Sequence, residues 1–219
     1  MPRPLFADRA DAAKRLAARL VAEQLPAPVV VLALPRGGVP IGAEVARRLG
    51  APLDLLLVRK IGAPGQPELA VAAVVDGDAP EVVIDEALAA ATGADAAYID
   101  AQAQVQWREL ERRRHVYLHG RTRVPVAGAT VIVVDDGIAT GTTVRAALKA
   151  LRRRRPGQLV LAVPVAPHDT IVSLQREVDR VVCLAQPPDF HAIGLHYADF
   201  HQVGDDEVIA ALDAGPARR

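Results

Sequence analysis

Two adjacent aspartates, Asp135 and Asp136, end an apolar run, and a loop of small residues, Gly137-Ile138-Ala139-Thr140-Gly141-Thr142-Thr143, follows at once. In an open parallel sheet, ligands bind beyond the carboxyl ends of the strands, and "VIVV" (Val131 to Val134) delivers the acid pair to such an end. Gly137 can adopt positive φ. The loop leads into a helix predicted over Thr143 to Arg155, whose free amides and positive dipole end form a cradle for an anion. Thr140, Thr142 and Thr143 add hydroxyl donors. The stretch therefore offers a phosphate site at Ala139 to Thr143 and, beside it, carboxylates that repel phosphate but accept hydrogen bonds from vicinal hydroxyls. A sugar phosphate carries both groups a few bonds apart. A Walker loop would need a lysine where this chain has Thr142, and no G-x-G-x-x-G follows the first predicted strand.

Three further stretches carry chemistry. In "LALPRGGVPIG" (Leu32 to Gly42), Gly37 and Gly38 let backbone amides approach a ligand, and Arg36 can pair bidentately with phosphate oxygens. In "VRKIGAPGQPE" (Val58 to Glu68), Arg59 and Lys60 stand at a predicted strand end before a Gly- and Pro-rich loop suited to opening and closing. They serve either a bound anion or merely a solvated strand end. In "PPDFHAIGLHYADF" (Pro187 to Phe200) lie two of the chain's three phenylalanines. Phe190 there either offers a flat face to a planar ligand or anchors the segment to the core.

The four apolar residues, two acids and Thr-Gly-Thr-Thr loop resemble the ribose-phosphate signature of type I phosphoribosyltransferases, and the likeness covers most of the chain. Pro35-Arg36-Gly37-Gly38 is similar to that family's pyrophosphate loop, and Arg59-Lys60 to the start of the mobile loop in orotate phosphoribosyltransferases. The resemblance implies transfer of the ribose 5-phosphate group of 5-phosphoribosyl 1-pyrophosphate (PRPP) to a nitrogenous base, with release of pyrophosphate. It implies Asp135, Asp136, Arg36 and Lys60 as catalytic residues, Ala139 to Thr143 on the 5-phosphate, and Arg36, Gly37, Gly38, Arg59 and Lys60 on pyrophosphate. Mg2+ would be held through PRPP and waters near Asp135 and Asp136, with no direct ligand assigned. A cis peptide is implied between Pro35 and Arg36. The last stretch is similar to the hood of hypoxanthine-guanine phosphoribosyltransferases, which points to Phe190 and Tyr197 as acceptor contacts. The departures, a missing lysine and a tyrosine one residue early, leave the base open. A PRPP-binding regulator without transferase activity, or a hydrolase of a phosphorylated sugar, are the alternatives.

To hold these residues in place the chain must be an α/β protein. Short apolar runs (Val29 to Leu34, Leu53 to Val58, Val71 to Val75, Val131 to Val134, Leu159 to Val165, Val181 to Leu184) alternate with helical segments (Asp8 to Gln24, Ile41 to Leu49, Thr143 to Arg155, His168 to Glu177), which predicts a mostly parallel twisted sheet flanked by helices. Residues 1–219 are read as one domain, with a helical insertion at about 85–118 and a C-terminal hood at about 185–219. With 51% hydrophobic and 24% charged residues the chain folds rather than staying disordered. A net charge of zero provides no global field for nucleic acid or an anionic membrane, so neither is expected as a partner, whereas a homodimer is considered. Arg152 to Arg155 offset a helix dipole before Pro156-Gly157. No signal-type or bilayer-length apolar segment is visible, so a cytoplasmic location is expected, and Cys183 sits in a predicted buried strand.

Overall fold

The computed structural model describes residues 4–77, 80–118 and 120–214. The first half of the chain runs α1 (Arg9–Ala22), β1 (Val29–Ala33), α2 (Gly38–Leu49), β2 (Leu53–Leu55), β3 (Val58–Ala63), β4 (Gln66–Val75), β5 (Glu81–Ile84), α3 (Glu86–Thr92) and α4 (Ala96–Leu118). It continues with β6 (Thr130–Val134), α5 (Thr142–Arg153), β7 (Gln158–Val165), α6 (His168–Leu174), β8 (Arg180–Ala185), a 3-10 turn (Ile193–His196) and α7 (Asp205–Asp213). Two compact units result: residues up to Leu55 with Arg123–Gly141 and everything from Arg154 form the first, and Leu56–Thr122 with Thr142–Arg153 the second.

The first unit is built on a five-stranded parallel sheet of order β2-β1-β6-β7-β8, with both of its long apolar runs, β6 and β7, buried almost throughout. Continuous burial rather than alternation is what helices on both faces of a parallel sheet demand. The strands β1 and β6 pair in register from Val29↔Thr130 to Ala33↔Val134, so their carboxyl ends are level. Leu34 N donates to Val134 O at 2.9 Å, carrying the pairing one residue past the strands. The "PRGG" turn and the acid pair therefore leave the sheet side by side. Helix α1 is capped by Asp8, which accepts from Asp11 N at 2.7 Å, and it buries Ala12, Ala13, Leu16, Ala17 and Leu20. The segment before it, Leu5 to Ala7, joins the hood: Leu5 N and Phe6 N donate to His196 O, and Ala198 N and Asp199 N donate to Phe6 O and Ala7 O.

In the second unit β3, β4 and β5 form an antiparallel sheet, on which α4 packs through Ile99, Ala103 and Leu110. Trp107, on the same helix, is half-buried. The apolar run expected as one strand from Leu53 to Val58 is interrupted at Leu56-Leu57, so β2 closes the parallel sheet and β3 opens a different one. Gly62 to Glu68, expected as a loop, is instead the end of a hairpin turned by Pro64-Gly65, with Gly65 at φ +72. A Cβ on Gly62 would lie 2.5 Å from Pro67 Cα, so glycine is what lets the two strands close. Tyr98 of α4 donates its hydroxyl to Gly62 O at 2.9 Å. The insertion predicted at 85–118 is helical, as α3 and α4, and α2 begins at Gly38, three residues earlier than expected. Among the described residues no helix is long and apolar enough to cross a membrane.

Candidate active site

At the level edge of β1 and β6 the two glycines of the "PRGG" turn lie directly against the acid pair. A Cβ on Gly37 would stand 1.9 Å from Asp136 Oδ2, and one on Gly38 would stand 2.7 Å from Val134 O and 2.9 Å from Asp135 Cα. Gly38 is also the first residue of α2, so the positive dipole end of a 12-residue helix opens where the turn meets the carboxylates, while the Gly38 and Val39 amides donate back to Leu34 O and Arg36 O at 3.1 Å. The peptide between Pro35 and Arg36 is cis, as the resemblance implied. Arg36 is partly exposed and its Nη1 lies 3.6 Å from Asp205 Oδ1 at the start of α7.

The two acids differ in their surroundings. Asp136 is buried and ion-paired, with Arg9 Nε at 2.9 Å and Nη2 at 2.8 Å from its Oδ2. Asp135 is half-buried and accepts from Asp136 N at 2.9 Å. Burial pushes both carboxyls above the ordinary carboxylate range. Asp135 is pushed further because the Asp136 charge opposes a second one beside it, while Arg9 works against the shift at both.

The loop after the acids is braced by α6. Thr170 Oγ1 donates to Ala139 O at 2.8 Å, and a Cβ on Gly141 would meet Thr170 Cγ2 at 2.9 Å. The positive φ expected at Gly137 falls instead at Gly141, φ +75. Gly137 is needed for space, since its Cβ would meet Ile193 Cγ2 at 2.6 Å. Ala139 and Thr140 are exposed; Thr142 and Thr143 open α5, in the second unit.

The two basic residues of "VRK" part company. Successive side chains on a strand point to opposite faces. Lys60 faces a pocket of about 40 Å³ lined also by Thr142, Thr143, Arg145 and Lys149, and it pairs with Glu68 Oε2 at 2.6 Å. Arg59 turns to α4, where its Nε donates to Gln106 Oε1 at 3.1 Å, and burial lowers its pKa. The sequence expectation that both reach one anion is thus not met by the alternation of β3.

Nor do the two hood aromatics share a place. Phe190 is half-buried with its ring centroid 5.0 Å from that of His196. Tyr197 is buried, lies 5.3 Å from the Phe6 ring and 5.0 Å from the Phe200 ring, and donates its hydroxyl to Asp136 O at 2.6 Å. Burial pushes the phenol well above its usual range, so it stays a donor. Tyr197 is a strut under the acid pair rather than a face for an acceptor.

Arg9 is the residue that sequence reasoning missed. A signal was present: an arginine at the first position of a helix opposes the macrodipole, so a stronger partner must hold it there. Among the described residues no group of three or more His, Cys, Asp or Glu is arranged to hold a metal ion.

A glycine-rich turn thus stands against an acid pair at a parallel-sheet edge, and residues 6–199 match the phosphoribosyl transferase domain family. The chain belongs to that phosphoribosyl transferase domain family. It is 47% identical over 209 residues to a protein of two Mycobacterium tuberculosis strains that is named provisionally as a phosphoribosyl transferase, with 95% of this chain and 46% of the relative aligned. The chain thus spans about half the length of the curated relatives it matches. A crystal structure of a Thermus thermophilus protein superposes with a TM-score of 0.80 at 42% identity, over 94% of this chain and 97% of that one. A hypoxanthine-guanine phosphoribosyltransferase from Bacillus anthracis aligns at 16% identity and a TM-score of 0.46, over 87% of this chain and 85% of that one, and decides nothing about the acceptor.

Proposed function

We propose that this chain transfers the phosphoribosyl group of PRPP to a nitrogenous base and releases pyrophosphate. The observation that carries the reading is the close approach of Gly37 and Gly38 to Asp136 and Asp135, which supports a pyrophosphate site at the glycine turn beside a ribose site at the carboxylates. In the transfer, the bond from C1 to the pyrophosphate oxygen breaks, the bond from C1 to the base nitrogen forms, and the nitrogen's proton passes to water. Positive charge develops on the ribose ring and negative charge on the leaving group. The acid pair answers the first, and Arg36 with the positive dipole end of α2 answers the second. To do so, Arg36 exchanges its Asp205 partner for pyrophosphate oxygens. The loop from Ala139 to Thr143 holds the 5-phosphate.

Lys60 and Arg59 enter this reading through the family resemblance; of the two, Lys60 lines a pocket together with Arg145 and Lys149, which suits it better to an anion. Mg2+, when bound through PRPP, would neutralise the pyrophosphate. With Asp136 committed to Arg9, Asp135 is the carboxylate that its water shell would meet. Phe190 is the acceptor's stacking face. The lone Cys183, unable to form an intrachain disulfide, suits the reducing cytoplasm.

The deciding experiment measures magnesium-dependent pyrophosphate release from PRPP with and without a panel of free bases. Release that requires a base is expected. Release without a base would identify a hydrolase, and binding of PRPP without release a regulator.

A further inference from the structure

Arg9 carries a role that the reaction alone does not assign. Its side chain is 8% exposed, and each of its three nitrogens has an acceptor: Nε and Nη2 on Asp136 Oδ2, and Nη1 on His201 O at 2.7 Å. The guanidinium carbon lies 3.9 Å from the centroid of the Phe200 ring, so one face of the fork is covered as well. A buried arginine held on all three nitrogens has no freedom to swing onto a ligand; it can act only through what it holds.

We infer that Arg9 is a positioning residue for ribose recognition, fixing the Asp136 carboxylate in place for the sugar's vicinal hydroxyls. The inference rests on the ribose-binding reading of the acid pair. Asp136 is gripped at two ends, its Oδ2 by the guanidinium and its backbone oxygen by the Tyr197 hydroxyl. Gly37 closes a third side with no space for even a methyl group. A carboxylate so held meets a hydroxyl donor without rearranging, and fixed orientation of this kind is what makes a hydrogen bond discriminate. The same guanidinium ties the carboxylate to the hood through His201 and Phe200, and to α1 through its own backbone. Ribose recognition thereby depends on a residue that touches no ribose.

The test compares binding of ribose 5-phosphate with binding of its 2,3-dideoxy analogue, which keeps the phosphate and lacks both vicinal hydroxyls. The wild type is expected to prefer the ribose compound by roughly tenfold or more, as hydrogen bonds to a charged group imply. Arg9→Met should reduce that preference to within about twofold while the dideoxy compound binds as before, and Arg9→Lys, which keeps the charge, should restore part of it. A merely structural role would weaken both ligands alike. Full preference retained in Arg9→Met overturns the inference alone. No preference in the wild type overturns the ribose-binding reading, and the inference falls with it. Should the variants fail to fold, the Nε–H resonance of Arg9 in the wild type decides: it should shift with ribose 5-phosphate and not with the dideoxy analogue, and an equal response to both overturns the inference.

Discussion

The missing side chain of Gly37 is the space occupied by the carboxylate of Asp136: a Cβ there would lie 1.9 Å from Oδ2. The backbone of Gly37, at φ −61, is one any residue can adopt, so the requirement is for room and not for conformation. Asp136 cannot give way, because Arg9 holds the same oxygen. Gly37→Ala should therefore cost about 1–3 kcal/mol of stability by overpacking and lower pyrophosphate release at least tenfold. Thermal unfolding and the release assay check the two effects, and an alanine tolerated in both would show that the turn and the acid are not one surface.

The acid pair should respond unequally to neutralisation. Asp136→Asn leaves the buried Arg9 charge without its counter-ion, which costs about 3–5 kcal/mol. Asp135→Asn replaces a carboxyl that burial already disfavours as an anion, and stability should hold or rise. Denaturant unfolding of the two variants provides the comparison; equal losses would contradict the assigned pairing.

The same asymmetry has a pH signature. Asp135 titrates higher in the folded protein than its ordinary 3.8, so the folded state binds that proton more tightly than the unfolded chain. Its contribution is fully present below that ordinary value and is lost as pH rises through the raised one. The gain in unfolding free energy of Asp135→Asn over the wild type should thus grow with pH from about 4 upward. Unfolding curves at several pH values measure it, and a gain independent of pH would remove Asp135 as its source.

Phe190 and Tyr197 should separate acceptor from scaffold. Phe190→Ala is expected to raise the Michaelis constant for the base at least tenfold with little change for PRPP, the loss of about 1.4 kcal/mol of stacking. Tyr197→Phe removes the hydroxyl from Asp136 O and should cost about 1 kcal/mol of stability while leaving the acceptor constant unmoved. If the two substitutions affect acceptor and PRPP in the same proportions, the hood does not divide its aromatics in this way.

The parallel sheet was legible because its strands are buried on both faces and so read as short apolar runs: Val131 to Val134 and Leu159 to Val165 appear in β6 and β7 almost residue for residue. The antiparallel hairpin was hidden by the same rule. Leu53 to Val58 is a single strongly apolar stretch, yet Leu56 and Leu57 are where the chain leaves one sheet for another. Arg59 and Lys60 looked like a pair because they are adjacent, and a strand places adjacent residues on opposite faces. At the acid pair, the residue types pointed to a ligand without naming their neighbours. Arg9 meets Asp136 across 127 positions of sequence and Tyr197 meets it across 61, and no local pattern encodes such distances.

Those two separations also fix an order of manufacture. On the ribosome the guanidinium emerges first, the carboxylate it neutralises follows 127 residues later, and the phenol that locks the carboxylate's backbone comes 61 residues after that. The strand-like seam between Phe6 and Tyr197 can close only when nearly the whole described chain has been made. A nascent chain thus has the counter-ion for its acid well before the hood that completes the grip.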